Sequence, residues 1–149
     1  MRAVAQRVKE ASVRVDGREI ARIGPGLLVY LGVGAKDTDD DLVYLAEKIA
    51  HLRVFADERG AMNRSVIEAL GAALVVSQFT LYGDARRGRR PSFVEAMEPA
   101  RAEAMYLAFA ARLEALGVPT ARGEFRAMMD VISVNDGPVT ILFDSHKVF

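Results

Sequence analysis

Apolar and polar residues change rhythm along this chain, from period two near both ends to period 3.6 in two inner stretches. Over residues 2–15, Val4 and Val8 share one parity, whereas Ala11, Val13 and Val15 share the other. Successive strand side chains point to opposite faces, so the shift predicts a long strand with a bulge or bend near Lys9-Glu10. Asp16-Gly17 then fits a two-residue hairpin turn, Arg18 to Ile23 return, and Gly24-Pro25-Gly26 makes a second turn. The unbroken apolar run Leu27 to Val33 predicts a central strand.

Thr38 is placed to cap a first helix, with Asp39, Asp40 and Asp41 at its positive dipole end. Leu42, Leu45, Ala46, Ile49 and Leu52 repeat at helical spacing, which puts His51 inside that helix. A short strand at Val54-Phe55 follows, and Ala72 to Phe79 reads as another apolar strand. Pro99 suits the first turn of a second helix, whose apolar face is Ala102, Met105, Tyr106, Phe109, Leu113 and Leu116. Gly117 can end it in the left-handed conformation, and Pro119 blocks extension. From Phe125 the chain alternates again into Val134; Asp136-Gly137-Pro138 interrupts, and Val139 to Phe143 forms the last strand. Without repeats or linkers, residues 1–149 are expected to form one domain of class α+β. The order of elements favours a mainly antiparallel or mixed sheet with two main helices.

Composition narrows the function classes. With 51% hydrophobic residues the chain can bury a core, so disorder is not expected. No apolar run reaches the ~20 residues needed to span a bilayer. Gln6, Arg7, Lys9 and Glu10 break any leader-like apolar stretch, and a cytoplasmic location is the expectation. Cysteine is absent, which removes disulfides, thiolate metal sites and cysteine nucleophiles together. Lys+Arg and Asp+Glu both number 20, so any RNA contact is expected to be local, and DNA is not an expected partner. Asp39-Asp40-Asp41 is explained by a helix N-terminus; neither a metal nor another cofactor is expected.

Two segments carry the candidate chemistry: Ser77-Gln78-Phe79-Thr80 and Asn135-Asp136-Gly137-Pro138-Val139-Thr140. Each follows an apolar stretch and puts small polar groups at a strand end. Backbone N–H groups there, with the Gln78 amide, can stabilise a developing oxyanion. Thr80 can serve as nucleophile or proton relay, or, with Ser77, only satisfy backbone at a strand terminus. With His51 and His146 the sole histidines, no Ser-His-Asp arrangement is evident. Asn-Asp-Gly-Pro alone reads equally as a hairpin turn, with a trans bond before Pro138. Arg86-Arg87-Gly88-Arg89-Arg90 groups guanidinium forks suited to phosphate, or forms a solvated loop. Phe125 and Met129 share a strand parity and line either a pocket or the core.

Taken together, these segments resemble the paired motifs of the D-aminoacyl-tRNA deacylases. Gln6-Arg7-Val8, Ala11-Ser12-Val13, Gly26-Leu27-Leu28-Val29 through Gly32-Val33, Met62-Asn63, Arg87-Gly88 and Arg90-Pro91-Ser92-Phe93 match in the same order. The resemblance implies a barrel-like homodimer that hydrolyses the ester of D-aminoacyl-tRNA, and of glycine mischarged on tRNA(Ala). It implies a catalytic role for Gln78 and Thr80, with Ser77 and Phe79 at the substrate. It implies a cis Gly137-Pro138 bond whose carbonyls enter the partner subunit's site and read chirality, braced by Arg7. It implies the acceptor end of aminoacyl-tRNA as partner, with the 2′-OH of the terminal adenosine assisting the chemistry. Arg86, Arg87, Arg89 and Arg90 are the candidate tRNA contacts. A non-catalytic tRNA-end binding module and a small-ester hydrolase on the same fold are the competing readings.

Overall fold

A computed structural model of the protein describes residues 1–148. Eight strands and two α-helices follow one another as β1 (Arg2–Val15), β2 (Arg18–Ile23), β3 (Gly26–Gly32), α1 (Asp39–Ala50), β4 (Phe55–Ala56), β5 (Met62–Arg64), β6 (Ala72–Ser77), α2 (Pro99–Ala115), β7 (Thr120–Arg122) and β8 (Asp130–Asp144). A single 3₁₀ turn, Phe79–Tyr82, lies between β6 and α2.

β1 organises the sheet because both of its edges are occupied. One edge takes β8 over nearly its whole length. The other is shared: Arg2–Val8 pair with β3, and Ala11–Val15 pair with β2. Asp16 and Gly17 turn the first hairpin with φ of 50° and 77°, as the favoured two-residue turn requires. β6 and β7 then add in parallel beyond β3, giving the order β2-β1-β3-β6-β7 in a mixed sheet. β2 lies across β6 and β7, so the sheet curls towards a barrel.

Each face of this sheet has its own core. Leu27, Val29 and Leu31 of β3, Ala73 and Val75 of β6, and Ala3 and Ala5 of β1 face α1 and α2. Leu45, Ile49, Tyr106, Phe109 and Leu113 fill that layer from the helices. The opposite parity, Leu28, Leu74 and Val76, packs inside the curl with Val8, Ala11, Val13 and Ile23. β1 therefore changes the parity of its buried residues between Val8 and Ala11, and the register against β8 slips between Val8 and Glu10. That is the bulge expected at Lys9-Glu10.

Several boundaries differ from the sequence expectation. β6 stops at Ser77 rather than Phe79, because Gln78 leaves the strand (φ −144°, ψ 78°) and the next residues wind into the 3₁₀ turn. α1 ends at Ala50, so His51 is its C-cap and not an interior residue, and Leu52 lies beyond it. The short strand after α1 is Phe55–Ala56, and its partner, Met62–Arg64, is too short to show a period. Phe125 to Met129 is not a strand: β7 has already ended, Arg126 has φ 64°, and pairing resumes at Asp130. Asp136-Gly137-Pro138 does not end a strand either. β8 continues from Asn135 opposite Val8 to Thr140 opposite Gln6, and the four residues between them bulge outward across from Arg7.

Gly26 marks the closest approach of two backbones. A Cβ there would lie 1.9 Å from the Ala72 carbonyl oxygen, so only glycine lets β3 and β6 start side by side. Gly26→Ala is expected to destabilise the fold by about 1–3 kcal/mol through overpacking. Urea unfolding measures this, and an unchanged midpoint would contradict it.

Candidate functional site

Beyond the carboxyl ends of the parallel strands β6 and β7 lies a cleft of about 630 Å³. Its walls are Val76, Ser77, Gln78, Phe79 and Thr80 on one side and residues 125–129 on the other; Met97, Pro99 and Ala102 are among the residues that also line it. The last ladder hydrogen bond runs from the Gln78 N–H to the Leu31 carbonyl, at 2.7 Å. After it the turn begins, and its leading N–H groups have no intrahelical acceptor. The Gln78 side-chain amide donates to the Thr80 hydroxyl. Phe79 is 59% exposed and meets Phe93 edge-on at 5.0 Å, an arrangement no buried core would leave open.

The opposite wall is fixed by Tyr106. Its buried hydroxyl lies 2.9 Å from the Val75 carbonyl and 3.1 Å from the Gly123 carbonyl, tying the loop after β7 to β6. Burial pushes its pKa up to about 12, so it stays a donor. Its ring packs beside Phe125 at 5.9 Å. Phe125 and Met129 thus line the cleft, from a loop and not from one face of a strand. Met128, 91% exposed at the rim, and Tyr106 as the anchor were not singled out from the sequence. Tyr106 reads there as an ordinary helix core position, and Met128 follows no period.

No base stands next to Thr80 among the described residues. His51 pairs with Glu47 at 3.6 Å, on the exposed end of α1. His146 Nε2 lies 2.9 Å from Asp37. Asp37 also accepts from the Met1 ammonium at 2.5 Å and, on its other oxygen, from the Gly34 N–H at 2.6 Å and the Tyr82 hydroxyl at 3.2 Å. Asp37, Asp41 and His146 have donor atoms within 4.8 Å of one another. Asp37 is nevertheless saturated by hydrogen donors, so the cluster reads as an ion-pair network and not as a cation site. Burial raises the Asp41 pKa, but hydrogen bonds from Ser145 and Thr38 outweigh it and hold the carboxyl at about 2.

The second motif lies elsewhere on the chain. Gly137 and Pro138 are exposed, their peptide bond is cis, and Gly137 has φ +125°. Arg7 braces them: its Nε donates to the Asp136 carbonyl at 3.2 Å, and its Nη1 donates to the Val54 carbonyl. Asn135 closes the bulge from inside, accepting from the Val139 N–H at 3.1 Å. None of these residues lines the cleft of their own chain. They sit level with Leu27, near the start of β3, whereas Ser77 pairs with Leu31 near its end.

The arginine segment is a loop closed by an antiparallel bridge between Asp84 and Ser92. Gly88, with φ +73°, lies within it. Arg86 is committed to Asp84 at 2.7 Å, which holds that carboxyl well below the usual range. Arg87, Arg89 and Arg90 are exposed. The loop returns through Phe93 onto Phe79, so its base adjoins the cleft.

Known proteins resemble this chain over nearly its whole length. The family model described as D-Tyr-tRNA(Tyr) deacylase matches residues 4–144. A D-aminoacyl-tRNA deacylase of Desulforudis audaxviator is 59% identical over 149 residues, covering 100% of both chains. One from Thermus aquaticus is 57% identical over 147 residues, covering 99% of this chain and 97% of its own. A solved structure titled "c-Myc DNA Unwinding Element Binding Protein" superposes with a TM-score of 0.91 at 41% identity, over 97% of this chain and 98% of that one. No helix among the described residues is long and apolar enough to cross a membrane. By family match and full-length identity, this chain belongs to the D-Tyr-tRNA(Tyr) deacylase family.

Proposed function

We propose that the protein hydrolyses the ester of D-aminoacyl-tRNA in the Ser77–Thr80 cleft and that two copies are needed to build the site. The observation that carries this reading is the separation of its two motifs. Gly137-Pro138 is exposed and braced by Arg7, yet does not line the cleft of its own chain, which supports its working in the cleft of a second copy. Among the described residues the outer edge of β8 has no strand partner, and Ile132, Val134 and Leu142 are exposed beside it, which suits such a pairing.

In this reading the Gln78 amide and the leading N–H groups of the turn receive the negative charge that develops on the ester carbonyl oxygen. Thr80 is a poor nucleophile here: its partner is an amide, which is no base, and both histidines are engaged elsewhere. The 2′-OH of the terminal adenosine supplies a hydroxyl close to the ester, so the RNA contributes part of the chemistry. The partner's Gly-Pro carbonyls accept from the α-amino group and exclude a side chain on the L side. Chirality is then sorted by backbone shape. Glycine has no side chain to exclude, and glycyl-tRNA passes. In this reading the exposed Arg87, Arg89 and Arg90 meet acceptor-end phosphates, which position RNA without reading its sequence. Encounter in the cytoplasm is consistent with that substrate.

Incubation with D-tyrosyl-, L-tyrosyl- and glycyl-tRNA tests the filter. The D and glycyl esters should be lost rapidly and the L ester spared; equal loss of D and L would refute it, and Thr80→Ala should retain partial activity. Gly137→Ala should suppress turnover, because its Cβ would stand 2.9 Å from Val139 Cγ2 and 3.1 Å from Arg7 Nη2, at a φ that disfavours any side chain. Wild-type rates in that variant would remove Gly137 from the site.

A further inference from the structure

Arg2 lies outside the cleft but touches the turn that forms it. Its Nε donates to Asp144 Oδ2 at 2.9 Å, at the end of β8. The Asp144 side chain is only 2% exposed, so this carboxylate depends on its cation. Nη1 of the same guanidinium donates to the Leu81 carbonyl at 3.0 Å. Its plane also stands over the Tyr82 ring, 4.6 Å from the centroid. Leu81 and Tyr82 are the last residues of the 3₁₀ turn that begins at Phe79. The final carbonyls of a helical turn lack internal partners and favour a cation.

The rest of the turn shows why this contact matters. At its leading end, Gln78 is fixed by the ladder bond to Leu31. At its trailing end, the Tyr82 hydroxyl is held by Asp37 and backed by Gly34, where a Cβ would come within 2.6 Å of it. Between these ends Phe79 and Thr80 are exposed, and the side-chain hold on Thr80 is the amide of Gln78. The placement of the reacting groups is therefore set by how firmly the two ends are held.

We infer that Arg2 is a positioning residue for the deacylation turn: its guanidinium fixes the Leu81–Tyr82 end and so sets where the Gln78 amide and the Thr80 hydroxyl stand in the cleft. This rests on the deacylase reading above. Only a planar fork can serve a carboxylate, a carbonyl and a ring face together; a lysine ammonium can keep the Asp144 pair but not all three.

The test is Arg2→Lys, alongside a neutral pair, Arg2→Met with Asp144→Asn, which leaves no unpaired buried carboxylate. Deacylation of D-tyrosyl-tRNA is measured together with the thermal midpoint. With a misplacement of up to ~1 Å, kcat should fall about 10- to 100-fold in folded protein. KM should stay within about twofold of wild type. In a Gln78→Ala background, Arg2→Lys should cost little further activity, since both act through one turn. Wild-type kcat in both variants would overturn the inference. So would a rise in KM alone, a loss that multiplies with Gln78→Ala, or a loss matched by unfolded protein. A wild-type protein inactive on D-tyrosyl-tRNA would instead overturn the deacylase reading, and that result needs no variant.

Discussion

A strand paired along both edges cannot adjust to its neighbours independently, and β1 is such a strand. Its first half must turn Ala3 and Ala5 towards the helices; its second half must turn Ala11 and Val13 into the curl. A period of two cannot serve both cores without an extra residue, and the slip between Val8 and Glu10 supplies it. The neighbouring slip, between Gln6 and Val8, leaves Arg7 opposite the bulge that carries Gly137 and Pro138. One accommodation in the ladder thus shapes the cores, and the next presents Gly137-Pro138 with Arg7 bracing it.

The cleft depends on the same sheet at its other end. Where β6 stops, backbone groups that would have continued the parallel ladder become available to a ligand. Ser77, Gln78 and the loop after β7 stand beyond the carboxyl ends of the two parallel strands β6 and β7. The cleft holds no histidine base and no cysteine. It offers an amide, a hydroxyl and backbone donors, groups suited to holding charge and shape more than to transferring protons.

Much of this was legible in the sequence where a local physical signal was strong. The parity change announced the bulge, Asp16-Gly17 announced the hairpin, and Thr38, Pro99 and Gly117 marked helix ends. The polar residues Ser77, Gln78 and Thr80 drew notice at the end of an apolar run, and all three line the cleft. Other features were hidden for definite reasons. Phe125 to Met129 alternate like a strand, yet the ladder to β6 ends at Arg122 and the segment folds over the cleft instead. The β4–β5 hairpin is too short to carry a period. Tyr106 and Arg2 reveal their roles only through partners distant in sequence: Gly123 and Val75 for one, Leu81 and Asp144 for the other.

The central claim is that a main-chain wedge from one protomer works in the cleft of its neighbour. Mixed dimers test it most directly. Chains carrying Gly137→Ala and chains carrying Gln78→Ala are purified separately, then unfolded and refolded together. If the motifs act across subunits, each mixed dimer regains one intact site. Random pairing then restores about a quarter of wild-type activity on D-tyrosyl-tRNA. A mixture no more active than its parents, with mixed dimers confirmed by mass, would contradict the claim.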